Sequence, residues 1–81
     1  MHGWLEEARD RLAAEAGADA SELGLSPGET DRLLELARVA AHESGERTNA
    51  PLLCYLVGLA HGRHGGSLAD LVEAAEGGRP E

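Results

Sequence analysis

Apolar and polar positions follow a helical period in four separate stretches of this chain. In the first, Trp4, Leu5, Ala8 and Leu12 recur on one stripe, while Glu6, Glu7, Arg9, Asp10 and Arg11 mostly fill the other side. The spacing predicts a helix from about His2 to Ala16. Gly17 follows the last alanine and suits the left-handed position that ends many helices. Trp4 is expected to pack on the core rather than to anchor a partner. Ala18 to Leu25 reads as a connector with room for a short helical turn. Its two large apolar residues, Leu23 and Leu25, are expected to plug the gap between the first two helices.

The second stretch opens on Ser26-Pro27-Gly28-Glu29. Serine at the N-cap, proline at the first helical position and glutamate at the third form a capping box. Glu29 and Asp31 also sit at the positive end of the helix dipole. The predicted apolar face is Leu33, Leu34, Ala37, Ala40 and Ala41, widened by Leu36 and Val39. The helix should fade near Ser44 and stop at Gly45.

Glu46 to Ala50 is a polar loop in which Thr48 or Asn49 can cap the next helix. That third helix is predicted from about Pro51 to Arg63. Leu52, Leu53, Cys54, Tyr55, Leu56, Val57 and Leu59 leave it almost no polar face. A helix apolar all round is usually buried all round, so it is expected to be the central element. By that logic Leu56 is a core position, where an unpaired charge would unfold the domain. Cys54, Gly58 and Gly62 line one edge of the helix at every fourth residue. A closely approaching neighbour would explain the two glycines; the competing reading is that Gly62 ends the helix.

Gly65-Gly66 breaks the chain, and Ser67 caps a short fourth helix with Asp70 in its first turn. Leu68, Leu71, Val72 and Ala75 form the stripe it should bury. The expected fold is therefore all-α, a compact bundle of four helices around the apolar third. It forms a single helical domain over residues 1–76, with residues 77–81 a frayed tail.

Composition agrees. Eighty-one residues suit one domain, and a domain this size buries only about 60% of its unfolded surface. Isoleucine and phenylalanine are absent, and there is one tryptophan and one tyrosine, which argues against sheets. Seven arginines and no lysine face fifteen carboxylates, for a net charge of -8. Nucleic acid and anionic membranes both demand clustered cations, so neither is an expected partner. The longest apolar stretch, Leu52 to Ala60, is too short for a bilayer at about 20 residues. The first residues carry no cationic and apolar leader pattern. A cytoplasmic protein is expected.

Candidate chemistry is sparse. His61 and His64 are three residues apart, and His42 lies near the end of the second helix. Such a pair falls short of the three or four ligands that a metal site needs. Helix-end imidazoles suit the dipole in any case. Cys54 as a nucleophile would need a base, and His61, seven residues on, lies about 10 Å away along the helix. No paired carboxylates and no strand-borne phosphate loop can be read from the pattern. No catalytic residue, metal or cofactor is assigned.

Three segments resemble a known family. Trp4-Leu5 begins the first helix and Leu33 to His42 lies within the second. The third is Arg47-Thr48-Asn49-Ala50-Pro51-Leu52, continued to Leu56-Val57-Gly58-Leu59-Ala60-His61-Gly62. Together they are similar to a small bacterial domain of unknown function, over about Trp4 to Ala75. That domain occurs alone or fused behind nucleotidyltransferases resembling the enzyme that attaches GMP to molybdopterin. Arg47 and Pro51 fall on positions that recur in the family; Asn49 and Cys54-Tyr55 depart from it.

The resemblance implies an accessory role in molybdopterin-guanine dinucleotide biosynthesis. The implied partner is a molybdenum-cofactor nucleotidyltransferase or a related maturation factor. One alternative is a small ligand- or metal-binding module using Arg47, Asn49, Pro51, His42, His61 and His64. Another is self-association into a homo-oligomer through the small-residue edge of the third helix.

Overall fold

The computed structural model describes residues 3–77. The expected tail lies outside them except for Gly77, and so does His2. The described residues form four α-helices, with a 3-10 turn between the first two: α1 (Gly3–Ala16), the turn (Ala20–Leu23), α2 (Pro27–Ser44), α3 (Asn49–His64) and α4 (Leu68–Ala75). The chain is all-α, as the periodicity requires. Two units of contact divide inside the first turn of α2, one ending at Thr30 and the other beginning at Asp31.

The first unit is α1 and the 3-10 turn, which pack on each other. Gly17 takes φ +72 and closes α1, a conformation that costs a side-chain-bearing residue far more than glycine. The Ala18 amide donates to the Ala13 carbonyl at 2.9 Å and turns the chain back. The expected stripe is corrected here. Trp4 is 69% exposed, and Leu5 and Leu12 are exposed too; the buried residue of α1 is Ala13. Leu23 and Leu25 are half-buried and line a shallow depression of about 220 Å³ with Leu5, Ala8 and Leu12.

The second unit carries the larger core. α2 itself starts before that unit, on reciprocal bonds: the Glu29 amide donates to Ser26 Oγ at 3.1 Å, and the Ser26 amide donates to Glu29 Oε1 at 2.9 Å. That capping box satisfies two amides that the helix leaves unpaired. Leu36, Val57 and Val72, one from each of α2, α3 and α4, are buried together. Leu33, Leu53, Cys54, Leu68 and Leu71 pack around them. α3 and α4 approach closely at the backbone. α2 joins them through side chains. Arg32 Nη2 donates to the Ala69 carbonyl at 3.0 Å, and the Cys54 thiol lies 3.9 Å from the Leu33 carbonyl.

The core of α2 is rotated from the expected face. Leu36, Val39 and Ala40 are buried, while Leu34 is exposed. The residues that were to widen the face are its centre. The helix ends as expected, with Gly45 at φ +75.

α3 begins two residues earlier than expected. Thr48 stands at its N-cap with helical angles, and its side chain makes no capping bond. The Asn49 and Ala50 amides instead donate to the Glu46 and Arg47 carbonyls, both at 3.1 Å, so the loop coils directly into the helix. At the other end α3 runs through Gly62 to His64 before Gly65 closes it at φ +75. Among the described residues, nothing lies within 4 Å of where a Cβ would stand on Gly58 or Gly62. The close neighbour expected beside the small-residue edge is not there. α4 forms as expected, with the Asp70 amide donating to Ser67 Oγ at 3.3 Å.

Candidate functional site

The expectation that α3 is buried all round is overturned. Its buried residue is Val57. Leu52, Tyr55 and Leu56 stand 61%, 66% and 58% exposed. Tyr55 and Leu56 lie three and four residues on from Leu52, so each neighbours it on the helix surface. Leu56, expected in the core, is therefore a surface residue, and a charge there would meet water. The reason is geometric. α4 and the α2 side chains cover the Val57 side of α3, and a helix has more circumference than two short neighbours can cover.

The exposed leucines form one wall of an open groove of about 610 Å³. α3 contributes Asn49, Leu52, Leu53 and Leu56, at the i, i+3, i+4 and i+7 positions of one stripe. α2 contributes Val39, Ala40, Glu43 and Ser44 to the lining, and Ala75 and Glu76 line it at the end of α4. The floor is apolar, and both charged side chains on the rim are carboxylates. Arg38, whose guanidinium feels the Glu76 charge, is itself forked onto both oxygens of Glu35. That hydrogen bond and the Glu35 charge hold the Arg38 pKa above its ordinary value.

The residues singled out in the sequence fall into two groups. His42 is in the last turn of α2, and Arg47, Asn49 and Pro51 follow in the loop and the first turn of α3. His61 and His64 lie in the last turn of α3. Ten residues separate Pro51 from His61, about 15 Å of helix rise. Of the six, Asn49 is half-buried and lines the groove; the other five are exposed. Among the described residues, no three His, Cys, Asp or Glu side chains come together where they could hold a metal. Cys54 is half-buried, and partial burial pushes its thiol pKa up, away from the thiolate a nucleophile needs.

The groove itself escaped the sequence reading. A signal for it was present in the stripe Asn49, Leu52, Leu53, Leu56. On a helix apolar in every direction, that stripe had no polar face to stand out against.

The sequence profile of a domain of unknown function, DUF6457, matches residues 1–79. The chain belongs to the DUF6457 family. None of the curated proteins and none of the solved structures matches it. The DUF6457 match spans both units. In this DUF6457 chain, no helix among the described residues is long and apolar enough to cross a membrane.

Proposed function

We propose that this domain is a non-enzymatic accessory module that engages a partner protein through the open apolar face of α3. One observation carries the reading: three large apolar side chains of one helix, Leu52, Tyr55 and Leu56, are each more than half exposed. A small domain that needs every apolar contact for its own stability gains nothing from leaving them in water. Contiguous exposed apolar surface of this kind marks interaction sites. Each side chain buried by a partner would contribute on the order of 1–2 kcal/mol. The groove walls are aliphatic, and its rim offers carboxylates, a hydroxyl and an amide. That lining suits a protein surface better than it suits a phosphorylated cofactor.

The partner suggested by the resemblance of the Arg47–Leu52 and Leu56–Gly62 segments is a molybdenum-cofactor nucleotidyltransferase in the bacterial cytoplasm. The reading is tested by titrating the purified chain into the molybdopterin guanylyltransferase encoded in the same genome, with calorimetry as the readout. A saturable complex that disappears on Leu52→Ser with Tyr55→Ser is expected. A flat titration with active guanylyltransferase would sink that choice of partner. Unchanged binding by the double variant would sink the α3 face.

A further inference from the structure

We infer that the groove between α2, α3 and α4 receives an amphipathic helix of the partner whose apolar stripe is flanked by arginine or lysine. The inference rests on the interaction reading above and adds the shape and charge of the occupant. Shape comes first. On the α3 wall Leu56 stands four residues from Leu52 and three from Leu53, so the three leucines share one helix face, and an incoming helix presents apolar anchors at the same three- and four-residue spacings. The groove is open to solvent, which gives little enclosure to a small molecule.

Charge selects among such helices. Glu43 on the α2 wall and Glu76 at the α4 end are the charged side chains of the lining, and both are acidic. Arg38, the cation that feels Glu76, is held by Glu35. The whole chain carries a net charge of -8, so its long-range field adds to that of the rim. A cationic flank on the incoming helix would be drawn in and then placed against Glu43 and Glu76. A second copy of this chain is the poorer occupant. An isologous contact would bring two acidic rims and two strongly negative chains together. An anionic ligand meets no cation in the lining.

The test selects a display library of helices, each about 20 residues long, on the intact chain. The leucine stripe is fixed and the flanking positions are randomised. Enrichment of arginine and lysine in the flanks is expected. The selected peptide should bind about tenfold more weakly to the Glu43→Lys/Glu76→Lys chain, because two attractions become repulsions. It should lose binding to the Leu52→Ser/Leu56→Ser chain, with the circular dichroism of both variants unchanged. Neutral or acidic flanks that still depend on Leu52 and Leu56 would overturn the charge assignment and leave the interaction reading standing. Peptides indifferent to Leu52 and Leu56, or dimerisation through those residues in sedimentation, would overturn the groove as a partner's site. No groove-dependent peptide together with a flat guanylyltransferase titration would remove both readings.

Discussion

The two sides of α3 are built from the same kind of residue and have opposite fates. On one side Val57 is 5% exposed and meets Leu36 and Val72 in a core shared with α2 and α4. On the other, Leu52, Tyr55 and Leu56 are mostly in water. Hydrophobicity does not separate them, since leucine on the open side is as apolar as valine on the closed one. The neighbours separate them. α4 comes close along one side, α2 reaches over with leucine side chains, and the remaining arc is left uncovered. A helix apolar all round is here a helix with two apolar tasks. One is completed by its own chain, and the other, on our reading, by a partner.

The largest expected effect breaks the closed side. Leu36 is fully buried at the meeting point of the three helices. Leu36→Ala should cost about 2–5 kcal/mol through lost transfer energy and the cavity left behind, measured by urea unfolding. A loss below about 1 kcal/mol would mean that the core lies elsewhere.

A smaller effect is expected at the start of α2. Ser26→Ala removes the acceptor of the Glu29 amide and half of the reciprocal box. A loss of about 1 kcal/mol is expected in the same experiment. Thr48→Ala is the control. Thr48 holds the equivalent place before α3, but its side chain makes no capping bond, so it should change little.

The next prediction has the opposite sign. Gly58 lies inside α3 with open space where a Cβ would stand. Gly58→Ala should therefore stabilise the isolated chain by about 0.5–1 kcal/mol. Destabilisation would reveal a close neighbour on that edge.

The smallest of these effects is pH-dependent. Partial burial raises the Cys54 pKa, so the folded chain holds the thiol proton more tightly than the unfolded chain. The associated stability is complete below the unfolded thiol pKa of about 8.5 and is lost as pH rises past it. Comparing Cys54→Ala with the parent at neutral and alkaline pH should show the parent losing slightly more. An identical pH dependence would remove Cys54 from the half-buried packing around Leu33.

How much of this was legible in the sequence follows the same contrast. Features that depend on adjacent residues could be read directly. Ser26 and Glu29 form their box, Ser67 caps α4, and Gly17 and Gly45 end their helices. The stripe of α4 was legible as well, because its polar residues mark the outer side. Features that depend on distant neighbours differ from what the local pattern predicts. The pattern puts Leu36 and Val39 at the margin of the apolar face of α2, yet they are its centre, because leucines and alanines surround them on nearly every side. The apolar stripe of α1 puts Trp4 inside and the all-round apolarity of α3 puts Leu56 inside, yet burial requires another element to reach them, and both are exposed. The groove was invisible for that reason: it is defined by where α2 and α4 stop short of α3. The six candidate binding residues are grouped by being near helix ends: Asn49 and Pro51 open α3 and His61 and His64 close it, while His42 belongs to the last turn of α2.

The central claim is that the Leu52–Leu56 face is not part of what holds this chain together. Urea unfolding of the Leu52→Ser/Leu56→Ser double variant tests it most directly. The account predicts a change of less than about 1 kcal/mol from the parent. A loss of about 3 kcal/mol or more would show that these leucines belong to the core and that the groove is closed in solution.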